Sequence, residues 1–133
     1  MRLQTTLART VTVSGVGLHS GHLVRATLRP APAGRGIVFV RTDVGAVLPA
    51  LAEEAGRLDY ATSLGERGRE VGTVEHLLSA AAGLGLDNLT VEIDGPELPI
   101  LDGSSAPWVA EIQSAGLTTL ASAARPFVVP KTL

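Results

Sequence analysis

The stretch Thr73-Val74-Glu75-His76-Leu77-Leu78 most constrains what this chain can fold into. Val74, Leu77, Leu78, Ala81 and Ala82 recur at the i, i+3, i+4, i+7, i+8 spacing of a helix laid on a core, which predicts a helix from Thr73 to about Gly83. Thr73 is the expected N-cap, its hydroxyl accepting from the unpaired amides of the first turn. At about 100° per residue, His76 points nearly opposite the apolar stripe and Glu75 sits on its shoulder. The rest of that side is Ser79, Ala80 and Gly83. A water-facing side ordinarily carries Lys, Glu or Arg. One acid, one imidazole and three small residues predict instead a side that a second helix can approach closely and cover.

The remaining core must be aliphatic, because 45% of the 133 residues are hydrophobic and only 3% aromatic. That length makes one domain with room for a real core. A net charge of −2 gives no general attraction for nucleic acid or for an anionic membrane surface. The absence of cysteine excludes disulfides, thiolate metal sites and a Cys nucleophile. Met1-Arg2-Leu3-Gln4-Thr5-Thr6 opens no apolar run of signal-peptide length, and no stretch approaches the roughly 18 apolar residues of a membrane span. The expectation is a soluble cytoplasmic domain without membrane insertion.

Residues 3–14 alternate loosely with many Thr and Val, a strand pattern that ends in the glycine-rich turn from Ser14 to His22. Leu23 to Arg29 reads as a second strand, closed by the Pro30–Gly36 breaker cluster, and Ile37 to Arg41 as a buried third. Val47-Leu48-Pro49-Ala50 and Ala61-Thr62-Ser63-Leu64 are weaker strand candidates on either side of an acidic patch at Glu53-Glu54. Gly83-Leu84-Gly85 stops the helix, and Asn88 to Ile93 alternates cleanly as a strand. A second helix is expected from about Ser105 to Ala115, with Pro107 in its first turn, Gly116 after its end and Trp108, Ile112 and Ala115 buried. Arg125 to Pro130 reads as a last, edge-located strand. The order predicts an α+β domain, a two-layer sandwich of a mixed, mostly antiparallel sheet with two helices on one face.

Five blocks occur in order: Gly15-Val16-Gly17-Leu18-His19-Ser20-Gly21, Arg41-Thr42-Asp43, Thr73-Val74-Glu75-His76-Leu77, Gly83-Leu84-Gly85-Leu86-Asp87-Asn88 and Pro99-Ile100-Leu101-Asp102-Gly103-Ser104. Together they resemble the N-terminal half of UDP-3-O-acyl-N-acetylglucosamine deacetylase, the zinc enzyme that commits bacteria to lipid A synthesis. The resemblance implies that 1–133 is one domain of a two-domain architecture whose halves pack through their helices, with the active site between them. It implies that His76 is a Zn2+ ligand, that Glu75 is the general base activating the attacking water, and that Asp102 lies near the ligand histidine and orients its imidazole. Tyr60-Ala61-Thr62 falls where the family's loop borders metal and substrate. His19 reads either as a loop histidine or as a substrate contact. Arg41 and Asp43 read as a strand-end salt bridge.

The family's other two zinc ligands, a His and an Asp four apart, and its second catalytic histidine belong to a C-terminal half, and here no histidine follows His76. A catalytic zinc ordinarily takes three protein ligands. A homodimer formed through the 73–83 helix face would bring two His76 and two Glu75 side chains together at a two-fold axis. The expected function is therefore zinc-dependent hydrolysis of the N-acetyl amide of an acylated UDP-sugar or N-acetyl sugar, by a dimer that completes the metal site. A non-catalytic remnant, a binding module or an isolated N-terminal half with an incomplete site is the alternative.

Overall fold

The computed structural model describes residues 2–50 and 64–124. In chain order these form β1 (Leu3–Leu7), β2 (Val11–Val16), β3 (Leu23–Pro30), β4 (Ile37–Arg41), β5 (Ala46–Pro49), α1 (Glu75–Leu84), β6 (Leu89–Ile93), α2 (Ala106–Ala115) and β7 (Leu117–Ala123). The expected strands at 61–64 and 125–130 and the acidic patch at 53–54 lie outside the described residues, apart from Leu64, which bridges to Val71.

Five strands form the main sheet in the order β2-β3-β6-β4-β5, antiparallel except for the parallel β4–β6 pair. Alternation is strongest on β3 and β6. Val24, Ala26 and Leu28 point inward beside Leu89, Val91 and Ile93, and the register pairs Ala26 with Ile93 and Leu28 with Val91. Arg25 and Arg29 lie on the opposite face, where Arg29 reaches Glu92 across the strands at 2.6 Å. That outer face is wet, so both helices lie on the inner one, as expected for the two-layer α+β class. Leu77 of α1 and Trp108 and Ile112 of α2 close the core over Phe39 and the β6 residues. Trp108, Ile112 and Ala115 are the buried residues of α2, as their spacing predicts.

The 3–14 segment is not one strand. β1 stands outside the main sheet and pairs antiparallel with β7, meeting the sheet at the Thr6–Asn88 bridge. The break is tertiary in origin: Ala8 N–H donates to Gly116 O and the Arg9 guanidinium to Ser114 O, docking the bend on the end of α2. β7 has no alternation, and six of its seven residues are exposed. It is a strand because β1 supplies its hydrogen-bond partners.

Asn88 fixes the far end of α1. Its buried amide donates to Gln4 Oε1 and Thr5 O and accepts from Gly36 N–H, while the Asp87 carboxylate takes Thr5 N–H and the Arg2 guanidinium. These bonds to Arg2 and Thr5 hold the Asp87 carboxyl below its ordinary range. Gly85 ends the helix in the left-handed region at φ 72°, donating to Ala82 O while Leu86 donates to Ala81 O.

Candidate active site

Helix α1 begins one residue later than its cap signal predicts. Thr73 is not the N-cap: Val74 holds that position, and no side chain caps the first turn. Thr73 lies at φ 58°, in the left-handed region that a β-branched residue rarely enters, with its side chain buried. Its hydroxyl is thereby turned into the protein instead of toward the first-turn amides. The helix is also rotated about its axis relative to the predicted stripe. Val74, Leu77 and Ala81 are buried as expected, but Ala80, predicted to share the His76 side, is buried as well, and Ala82 is exposed. Packing of α1 against α2 as well as the sheet widens the covered sector toward Ala80.

This rotation leaves Glu75 and His76 half-buried at the edge of the core, with Ser79 and Gly83 exposed in the single chain. Thr73 Oγ1 and Glu75 Oε1 are both buried without a hydrogen-bond partner among the described residues. Buried polar atoms are satisfied almost everywhere in folded proteins, so two such atoms within three residues, without partners among the described residues and next to an imidazole, single out this end of α1 as the candidate site.

The Pro96–Ser104 loop encloses this end of α1. Gly72 N–H donates to Pro96 O at 2.8 Å and Leu98 N–H returns to Gly72 O at 3.1 Å, fixing the approach to Thr73. After Leu101, also left-handed at φ 55°, the loop presents Asp102. The Asp102 carboxylate accepts from Ser104 Oγ at 2.7 Å and Ser104 N–H at 2.9 Å. These bonds, with a smaller contribution from the charge of nearby His76, hold it below the ordinary carboxylate range. Asp102 thus lies within electrostatic reach of His76, but its hydrogen bonds go to Ser104.

His19 stands exposed on the turn after β2, and its backbone N–H meets the buried carboxylate of Glu97. Thr62 lies outside the described residues. Arg41 and Asp43 do pair, at 2.6 Å. Arg41 is buried and also donates to Glu70 O at 3.0 Å, which ties the 64–71 turn to the sheet just upstream of the helix. Sequence reasoning missed two residues of this region, Glu97 and the inward-turned Thr73. An acid directly between Pro96 and Leu98-Pro99, in a loop otherwise bound for the interior, is the signal that pointed to Glu97.

Among the described residues no three His, Cys, Asp or Glu side chains come together as a metal cage. The residues present fit one corner of such a site: an imidazole at the edge of the core, a carboxylate oxygen without a partner beside it, and a second acid nearby. A cavity of about 380 Å3 lined by Gln4, Gly34, Gly36, Asp87, Asn88 and Ala124 lies at the other end of α1, beside the β1–β7 ribbon. Gln4, Asp87 and Asn88 are bonded to one another's surroundings there, so it offers no comparable chemistry.

The family model described as UDP-3-O-acyl N-acetylglycosamine deacetylase matches residues 4–133. The chain is 60% identical over 116 residues to the UDP-3-O-acyl-N-acetylglucosamine deacetylase of Myxococcus xanthus (strain DK1622), covering 86% of this chain and 37% of that protein. It is 49% identical over 126 residues to the enzyme of the same name from Anaeromyxobacter dehalogenans (strain 2CP-C), covering 95% of this chain and 41% of that protein. Against that of Hahella chejuensis (strain KCTC 2396) it is 51% identical over 116 residues, 86% of this chain and 38% of the relative. The chain thus spans about two-fifths of the length of the curated relatives it matches. With the family model matching residues 4–133 and curated relatives of that name 49% and 60% identical over most of the chain, this chain belongs to the UDP-3-O-acyl-N-acetylglucosamine deacetylase family.

Proposed function

We propose that this chain supplies one side of a zinc-dependent deacetylase site, which removes the N-acetyl group of a UDP-3-O-acyl-N-acetylglucosamine in lipid A synthesis in the cytoplasm. The observation that carries the reading is Glu75 Oε1, buried and without a partner among the described residues, immediately before His76. A carboxylate oxygen left free of these partners can take a proton from a water that reaches it. Hydrolysis adds water across the amide, breaks the C–N bond and releases acetate and a free amine. Glu75 accepts the proton of the attacking water, and that proton is the one the departing amine requires. His76 would hold the metal, with Asp102 near enough to bias the orientation and charge of its ring. Zinc, when bound, supplies Lewis-acid polarisation of the amide carbonyl.

With no three-ligand group among the described residues, the other ligands come from outside them. Exposed Ser79 and Gly83 leave the outer side of α1 open to a close neighbour, which supports a homodimer meeting there. No helix of the described residues is long and apolar enough to cross a membrane. The incomplete ligand set favours a second reading, in which the chain is a folded, inactive half.

Native mass and zinc content of wild type and His76→Ala separate the two. Zinc bound per dimer and lost in the variant supports the enzyme, whereas a monomer that takes up no zinc supports the inactive half. Glu75→Ala should keep zinc and lose hydrolysis of the acylated sugar nucleotide. Loss of zinc in that variant would make Glu75 a ligand and refute its role as the base.

A further inference from the structure

Glu97 is a buried carboxylate that no ion pair explains. It is 5% exposed, and no cation lies within salt-bridge distance of it among the described residues. Among the described residues its oxygens accept only from backbone: Oε1 from His19 N–H at 2.9 Å, and Oε2 from His19 N–H at 3.2 Å and Ser20 N–H at 3.0 Å. Burying a carboxylate is costly unless donors converge on it, and two successive amides of one turn form such an anion-binding concavity. Gly17 makes room for this arrangement. A Cβ there would stand 2.7 Å from both Cγ and Cδ of Glu97.

The backbone of the same residue faces the other way. Gly72 bridges to Glu97 in parallel, with the Pro96 and Gly72 carbonyls each taking an amide, so residue 97 is stitched to the strand that leads into Thr73, Glu75 and His76. Two residues on, Pro99 bridges to Gly17, and Ile100 N–H donates to Val16 O at 3.0 Å. One short segment therefore fixes the entry of α1 through its main chain and the His19 turn through one carboxylate.

We propose that Glu97 is a positioning residue that ties the His19 turn to the segment entering α1, so that the His19 imidazole meets the sugar-nucleotide substrate. This rests on the deacetylase reading above. His19 is exposed and its turn carries glycine at 17 and 21, so without the carboxylate the ring would sample many positions. A polar turn held this way loses less conformational freedom when a ligand binds its side chain.

The test follows backbone and histidine ring signals by NMR on the whole chain, wild type and Glu97→Gln, while UDP-N-acetylglucosamine is added. Glutamine keeps the size of the side chain but turns an NH2 group toward two amides that need an acceptor. In Glu97→Gln the His19 and Ser20 amides should exchange with solvent at least tenfold faster. The dissociation constant for the sugar nucleotide should rise at least tenfold, and the His76 ring signals should stay in place. Should Glu97→Gln fail to fold, Gly17→Ala displaces the same carboxylate from the opposite side and is read out identically. Unchanged His19 exchange in a folded variant, or probe affinity equal to wild type, overturns the proposal alone. A wild-type chain whose His19 ring does not respond to the sugar nucleotide overturns the deacetylase reading at this end of the site, and the proposal with it.

Discussion

Replacing Thr73 with valine should make the zinc-free chain more stable. The Thr73 side chain is 3% exposed, and its hydroxyl has no partner among the described residues. Leaving water without gaining a hydrogen bond costs such a group about 1–3 kcal/mol. Valine has the same shape and the same branch at Cβ, so the left-handed backbone at φ 58° strains both residues alike and drops out of the difference. Taking the lower part of the range, the gain is about 1–2 kcal/mol. Unfolding entropy of about 2.1 cal/mol/K per residue gives roughly 0.28 kcal/mol/K for 133 residues, so Tm should rise by about 4–7 °C. Thermal melts followed by circular dichroism, with urea melts to check that the slope is unchanged, measure this directly. Thr73→Ser is the companion variant: it keeps the hydroxyl and should show no such rise. The gain should shrink or reverse in whatever assembled form gives the hydroxyl its partner, because valine then forfeits that bond. A Tm for Thr73→Val at or below wild type would mean that the hydroxyl is already satisfied in the folded chain. Glu75 Oε1 alone would then point to a group from outside the described residues at the start of α1.

Arg41→Ala should destabilise by about 2 kcal/mol, since it leaves the Glu70 carbonyl and the Asp43 carboxylate without their buried donor; a urea midpoint within error of wild type would contradict this. Gly17→Ala should destabilise the fold by about 1–3 kcal/mol through the 2.7 Å encounter with Glu97, read as a lower Tm. Asp43 and Asp87 both have carboxyls held below their ordinary range, chiefly by Arg41 and by Arg2 respectively. An unfolded Asp titrates near about 3.9, so their stabilisation is complete above that pH and is lost as pH falls through the depressed folded values. Stability measured from pH 6 down to pH 2 should fall in that window for wild type. The fall should be shallower in Asp87→Asn, and an equal fall would refute the assignment.

Much of the fold could be read from local pattern because local physics decided it. The Trp108, Ile112 and Ala115 stripe, the Gly85 and Gly116 helix ends and the alternation of 89–93 are set by periodicity and by backbone freedom, and each lies where the sequence predicts it. The adjacency of Glu75 and His76 and their place at the start of a helix were equally legible. Tertiary structure decided what no local window contains. It split 3–14 between two sheets, because the end of α2 supplies the partners for Ala8 and Arg9. It made a strand of Leu117–Ala123, which has no alternation of its own, by setting β1 beside it. The side of α1 left exposed was also settled in three dimensions, since helix pattern fixes which residues share a face but neighbours choose the face that is covered. Thr73 looked like a cap because Thr caps helices. The loop bonded to Gly72 instead holds it left-handed and buried, leaving its hydroxyl and the Glu75 carboxylate oxygen beside His76 without partners among the described residues.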